Sequence, residues 1–249
     1  MSDMTTAAAG RPGSELVGRT VVLIGGSAGI GLETARRARA EGAEVVLTGR
    51  DPDRLTRAAA DVGAQRAAAF DVTDDDALAG FFGELPAKID HVMVTAGGPR
   101  YAPLLEMDSA QVREVLSGHV ATYLAVARHA ANKLNDRVSL VFMGGTGGRR
   151  ISKSAGIVSA ATSALPPFTA ALALELAPVR VNLIAAGFVD TPLSQRTPID
   201  GLFLAGDWTR TGLPSTMEAA AESAVLAVDA VREFLGARVG VAEGDNQVG

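Results

Sequence analysis

The 249-residue chain is 47% hydrophobic, carries a formal net charge of -5 and contains no cysteine. That length suits one α/β domain with a large core. The acidic balance gives a nucleic-acid partner no electrostatic support, and disulfides and thiolate metal sites are excluded. Residues 1–15 are rich in Ala, Gly, Ser and Thr and read as a flexible tail. They carry no apolar stretch of the secretion-signal kind, so a cytoplasmic protein is expected. The longest uncharged run, Ser154 to Leu174, contains Pro166-Pro167 and several hydroxyls. It reads as a buried helix rather than a membrane span.

Thr20 to Ile24 (TVVLI) has the apolar, mostly β-branched composition of a buried strand. A turn with Gly25, Gly26, Gly29 and Gly31 follows, then an amphipathic helix from Leu32 to Glu41 and a second apolar run, Ala43 to Thr48. The order is that of a βαβ unit. Glycines there let the backbone turn tightly and let a pyrophosphate approach exposed amides at the positive end of a helix. Beyond the second strand stand Gly49 and Arg50, where a cofactor with a free ribose 2′-OH is usually met by an acid. An arginine pairs with a 2′-phosphate instead, so NADP(H) is expected over NAD(H).

Ala67 to Val72 reads as a third strand, and Asp74-Asp75-Asp76 as a helix start whose carboxylates satisfy free amides. His91 to Thr95 is a fourth strand, closed by Ala96-Gly97-Gly98. Ser109 to Leu134 is a long helix with Val112, Val115, Leu116, Val120, Tyr123, Leu124 and Ala127 on its apolar face. Arg137 to Met143 is a fifth strand running into Gly144-Gly145-Thr146-Gly147-Gly148, and Gly156 to Leu176 is another helix. Pro166-Pro167 falls in the middle of that helix, where proline costs roughly 3 kcal/mol, so a kink near Leu165 is expected. Glu175 to Leu193 supplies a sixth strand and the loop after it.

The spacing Gly25-x3-Gly29-Ile30-Gly31, the Ala96-Gly97 pair and the ELAPVRVNLIAAGFVDTPL segment resemble the short-chain dehydrogenase/reductase family over residues 16–193. The resemblance implies a single-domain α/β fold, a Rossmann-like doubly wound parallel sheet with helices on both faces. It places residues 16–194 in that domain and 195–249 in an atypical segment packed on it. It also implies a cofactor site of Gly25, Ser27, Gly29, Ile30, Gly31, Arg50, Asp71, Val72, Ala96, Gly97, Gly187, Val189 and Thr191. Asp71 takes the role at the adenine edge, and Val189 and Thr191 that at the nicotinamide amide. Where relatives carry Asn-Asn-Ala-Gly, Val94 and Thr95 replace the asparagines. A homo-oligomer, dimer or tetramer, is plausible by the same likeness.

Relatives use a tyrosine acid/base, a lysine four residues later, a serine on the preceding loop and an asparagine on the earlier helix. Matching on ALALELAPVRVN puts those roles on Val158, Thr162, Gly145 and His119, all replaced. The tyrosines are Tyr101 and Tyr123 and the lysines Lys88, Lys133 and Lys153, so no Tyr-x-x-x-Lys pair exists anywhere. Thr146 beside the lost serine and Ser159 beside the lost tyrosine remain, with His119 the best acid/base candidate because imidazole moves protons near neutral pH. A histidine packed on a helix without catalytic duty is the competing reading. Weak or no ordinary ketoreductase activity is expected.

From Ile199 onward the sequence resembles the C-terminal flavin-binding segment of the amine oxidase and carotenoid desaturase family, with Gly206, Asp207 and Ser215 to Glu218 in its motif positions. That family's own G-x-G-x-x-G is absent, so a packing strand and helix are expected rather than flavin binding. Three functional readings follow: an NADP(H)-dependent oxidoreductase acting on a small carbonyl or alcohol, a non-catalytic NADP(H)-binding sensor or partner subunit, and a flavin-using hybrid.

Overall fold

The computed structural model describes residues 15–149, 151–187 and 189. The chain divides into two compact units, Met1–Gly187 and Phe188–Gly249. Of the second, only Val189 is among the described residues, and the segment from 195 lies outside them.

β1 (Thr20–Ile24) is buried along its whole length because neighbours cover both its edges and both its faces. It pairs in parallel with β2 (Glu44–Gly49), Val22 opposite Val46, and with β4 (Ile89–Val94), Val22 opposite Val92. β3 (Arg66–Ala69), β5 (Leu134–Gly145) and β6 (Arg180–Ala186) complete an all-parallel sheet of order β3-β2-β1-β4-β5-β6. The helices are α1 (Gly29–Ala40), α2 (Pro52–Val62), α3 (Asp75–Glu84), α4 (Ser109–Ala131), α5 (Gly156–Ser163) and α6 (Leu165–Glu175). This is the expected doubly wound Rossmann-like arrangement, with the strand order reversing between β1 and β4.

Alternation along the strands explains why they read as continuous apolar runs. Val21, Leu23, Val45, Leu47 and Met93 join Ala35, Ala38, Leu55 and Ala58 of α1 and α2 in one core. Val22, Ile24, Val46, Val92 and Val94 face Leu78, Phe82, Tyr123, Val126, Leu165 and Leu172 of α3, α4 and α6 in the other. Each such side chain fully removed from water contributes roughly 1.5–3 kcal/mol.

Three helices begin as their aspartates dictate. The Asp51 carboxylate accepts the Arg54 amide at 2.9 Å, Asp74 accepts that of Ala77 at 3.0 Å, and Asp108 forms a reciprocal capping box with Gln111.

Among the boundaries that differ from expectation, three have a clear physical origin. β3 stops at Ala69, not Val72, because Asp71 turns the chain: its carboxylate accepts both the amide (2.9 Å) and hydroxyl (2.8 Å) of Thr73. β5 starts earlier, at Leu134, which pairs with Ile89 before the register shifts toward His91. The anticipated kinked helix is two helices, α5 and α6, meeting at Ala164. Pro166 and Pro167 sit in the first turn of α6, where amides have no intrahelical partner to lose. The expected cost of about 3 kcal/mol for an interior proline therefore does not arise. By length and composition Gly156–Glu175 is apolar enough to cross a membrane. In this fold, Leu165 and Leu172 pack from it into the main core, as the sequence implied.

Candidate functional site: a glycine turn at the sheet's switch point

The turn between β1 and α1 lies at the carboxyl edge of the sheet, at the reversal of strand order where α/β sheets place their ligands. Its glycines are required by close approach. Gly25 has φ +99°, and a Cβ on it would lie 2.6 Å from the Ala96 amide nitrogen. A Cβ on Gly31 would lie 2.4 Å from the Gly25 carbonyl oxygen and 2.5 Å from Thr95 Oγ1. α1 starts at Gly29 behind Ala28, with no side-chain cap and no acid in its first turn. Its free amides and positive dipole end are thus left without a protein anion, which suits a bound phosphate. Ile30 anchors this helix start by packing against the α1/α2 core.

The ends of β2 and β3 form the next wall. Ser27 is buried, and a Cβ on Gly49 would meet its hydroxyl at 2.8 Å. Arg50 is largely exposed, with Nη1 4.0 Å from Asp71 Oδ2. The Asp71 carboxyl is held below its ordinary pKa, first by the Thr73 amide, then by the Thr73 hydroxyl and, more weakly, by Arg50. Val72, half-buried, packs at the margin of the larger core. The sequence analysis missed Arg54, whose Nε lies 3.4 Å from Ser27 Oγ, one helical turn beyond Arg50. Its only sequence signal is a second arginine four residues on in RDPDRL.

The end of β4 forms the opposite wall. The amides of Thr95 and Ala96 both donate to the Ile24 carbonyl, at 2.8 and 3.0 Å. Gly97 follows with φ +106° and open space around it. Gly187 comes directly after β6, whose last residue, Ala186, is opposite Gly145. Val189 belongs to the second compact unit and is exposed, and Thr191 is outside the described residues.

The remaining candidates come from α4, β5 and α5. Tyr123 on α4 is buried, stacks on Phe142 with ring centroids 4.5 Å apart, and donates to the Met143 carbonyl. Burial pushes its hydroxyl up to about 12, so this tyrosine is fixed in place as a neutral donor. His119 lies one turn earlier, edge-on to Tyr123 at 6.2 Å. α4 runs against the strands, so that turn is one step nearer their carboxyl edge, where Gly145 and Thr146 leave β5. His119 Nδ1 is buried and has no hydrogen bond of normal geometry among the described residues. Burial lowers the imidazole pKa, opposed more weakly by the Val115 carbonyl.

Thr146 opens a single 3₁₀ turn, Thr146–Gly148, pressed onto α5. A Cβ on Gly147 would be 3.5 Å from Thr162 Oγ1 and 3.6 Å from Ser159 Oγ. The Thr162 hydroxyl is committed to the Val158 carbonyl at 2.9 Å, while buried Ser159 Oγ has no partner among the described residues. Val158 is buried with Val115, Ile157 and Ala161 in an apolar cluster between α4 and α5. The fold therefore brings the Thr146–Gly148 turn, Ser159 and Thr162 together at the end of β5, with Val158 in the apolar cluster between α5 and α4 and His119 on α4 beside Tyr123.

The enoyl-(acyl carrier protein) reductase family model matches residues 25–244. A short-chain dehydrogenase/reductase of Stachybotrys chlorohalonatus (ATR9) is 30% identical over 68% of this chain and 73% of its own. The galactitol 2-dehydrogenase (L-tagatose-forming) of Cereibacter sphaeroides is 33% identical over 72% and 74%. Among solved structures, BdcA in complex with NADPH is 26% identical with a TM-score of 0.70, covering 85% of this chain and 88% of that one. The fold and turn define a Rossmann-like nucleotide-binding protein. The chain belongs to the short-chain dehydrogenase/reductase family of oxidoreductases, which use a nicotinamide cofactor.

Proposed function

We propose that this protein is an NADP(H)-binding oxidoreductase with a degenerate catalytic centre, acting by hydride transfer on a small carbonyl or alcohol. The observation that carries the reading is the cradle at the switch point. It has an acid-free, uncapped helix start, a turn closed to any side chain by contacts of 2.4–2.6 Å, and two arginines at the outer end of β2. Gly25, Gly29 and Gly31 would hold the pyrophosphate through backbone amides, and Arg50 and Arg54 a 2′-phosphate. Asp71 and Val72 would border the adenine, and Ala96 and Gly97 would line the far wall. Gly187, Val189 and Thr191 would serve the nicotinamide end. The NADPH bound by BdcA supports the choice of cofactor, and the alcohol named for the galactitol enzyme supports the substrate class.

The bound nicotinamide would supply or accept the hydride, and the chain must handle the proton. His119 would do so through its imidazole, with the Thr146 hydroxyl holding the substrate oxygen. Neither matches a tyrosine acid flanked by lysine, and the loss of a positioned general acid costs about 10²–10⁴ in rate. Slow turnover is the consequence. The test is calorimetric titration with NADPH and NADH, followed by NADPH consumption with a panel of carbonyls. Tight NADPH binding with turnover that His119→Ala abolishes supports the proposal, and no binding of either nucleotide refutes it.

A second reading, a non-catalytic NADP(H)-binding sensor or partner subunit, is favoured by Val158. Where the resemblance puts the family's tyrosine, the chain has Val158, buried in an apolar cluster. Binding without turnover on any carbonyl would select it. The flavin-using hybrid attaches to residues outside those described, and a protein that purifies without yellow colour would argue against it.

A further inference from the structure

We propose that Thr95 is a positioning residue for the dinucleotide turn, acting through the Gly25 carbonyl. The inference rests on the nucleotide-binding reading above and extends it to a residue outside the turn. Thr95 Oγ1 donates to the Gly25 carbonyl oxygen at 3.1 Å, with the Ile24 carbonyl at 3.4 Å as its nearest alternative. The same hydroxyl oxygen occupies the space a side chain on Gly31 would need, 2.5 Å from the Cβ position. On the other flank the Gly26 amide donates to the Thr48 carbonyl at 2.9 Å, and the Gly25 amide faces Thr48 Oγ1 at 3.4 Å. One threonine from β2 and one just past β4 thus grip successive peptide groups of the turn.

The physical consequence concerns which way those peptides point. An anion site needs amides facing inward and carbonyl dipoles turned away or neutralised. The Gly25 carbonyl is the first beyond β1, and its negative end would repel a phosphate if it swung into the cradle. A hydroxyl donating to it from just past β4 holds it toward the sheet and leaves the α1 amides as the polar lining. The Thr95 and Ala96 amides bind the preceding carbonyl, of Ile24, so three donors from one corner fix the last carbonyl of β1 and the one after it. The missing asparagines at Val94 and Thr95 therefore do not leave this corner unsupported.

The test compares Thr95→Val, which keeps the shape and removes the donor, with Thr95→Ser, which keeps the donor. The probes are NADPH and adenosine 2′-monophosphate, which lacks the pyrophosphate and does not reach the turn. The expectation for Thr95→Val is NADPH binding weakened about tenfold (~1.4 kcal/mol), the size of one lost hydrogen bond that leaves a carbonyl unpaired. Its affinity for adenosine 2′-monophosphate stays unchanged, and Thr95→Ser restores NADPH binding. Wild-type NADPH affinity in Thr95→Val, or equal loss of both probes, overturns the inference. Failure of the wild-type protein to bind either probe instead overturns the nucleotide reading beneath it.

Discussion

Replacing Gly31 with alanine separates the fold from the cradle. The added methyl would sit 2.4 Å from the Gly25 carbonyl oxygen, whereas ordinary contact begins at 3.4 Å, so one partner must move by 3.4 − 2.4 = 1.0 Å. The partner is backbone, anchored to β4, and cannot swing aside as a side-chain tip would. Forcing a methyl into a packed site costs typically 1–3 kcal/mol, and alanine returns about 1 kcal/mol of helix propensity near the start of α1. The net loss of about 0–2 kcal/mol is small against a domain stability of roughly 5–15 kcal/mol. A melting temperature lowered by at most about 8 °C is expected.

Nucleotide affinity falls further, because the same displacement moves the amides that would meet the pyrophosphate. Loss of one charge-assisted hydrogen bond, worth about 1.5–3 kcal/mol, predicts NADPH binding weaker by about 10- to 100-fold. Thermal melts by circular dichroism and NADPH titration by calorimetry measure the two effects separately. Gly80→Ala on α3 is the control, since nothing stands within 4 Å of its Cβ position. It should stabilise slightly and leave binding alone. A Gly31→Ala protein that melts lower yet binds NADPH as tightly as wild type would refute the placement of the pyrophosphate.

Arg54→Ala is expected to weaken NADPH binding about tenfold with little effect on NADH, and the double variant with Arg50→Ala to reverse the preference, read by paired titrations. His119 and His91 both have pKa values lowered chiefly by burial from the ordinary 6.5. Below pH 6.5 the unfolded chain therefore binds more protons than the folded one, and stability rises with pH there. The urea midpoint should fall as pH drops from 6.5, and His119→Gln should flatten that slope. Gly145→Ser, Val158→Tyr and Thr162→Lys, which place an acid/base set where the resemblance puts it, should raise NADPH-dependent carbonyl reduction by about 10²–10⁴. The same changes lower the melting temperature because the tyrosine enters a packed cluster.

What was legible in the sequence was short-range. The strand, turn and helix around Gly25 to Gly31 follow from composition over a dozen residues, and Asp74, read as a helix start, acts within three residues of itself. The division of α5 from α6 was not legible, because a proline's cost depends on where the helix begins. Ala164, which sets that start, gives no signal of its own. Arg54 reads as a solvated helix residue until Ser27 is brought beside it from 27 positions away. Thr95 reads as a degraded motif until its hydroxyl is found on Gly25, 70 positions earlier. The site lay in contacts between segments, and periodicity within a segment carries no information about those.

The two halves of the candidate site also differ in how much substitution each can absorb. The nucleotide half is built mainly of backbone, so much of its requirement is negative: no side chain at Gly25 or Gly31, no acid at the start of α1. The side chains it does use, such as Thr95 on the Gly25 carbonyl, hold or flank that backbone and carry no chemistry of their own. The chemical half must place a titratable group where charge develops, and packing alone does not supply one. At Val158 the space is filled by apolar contacts that stabilise α4 against α5. At His119 the same burial that holds the ring in place keeps it neutral. A buried imidazole is charged at the same cost whether it takes a proton from an alcohol or holds one ready for a ketone, so His119 serves both directions poorly near neutral pH. The pH profile of NADPH-dependent ketone reduction therefore reads its state: the rate should keep rising as pH falls below 6.5, because the acid form is still filling there, and His119→Gln should flatten that rise. A wild-type rate that does not change across that range would place the proton source elsewhere.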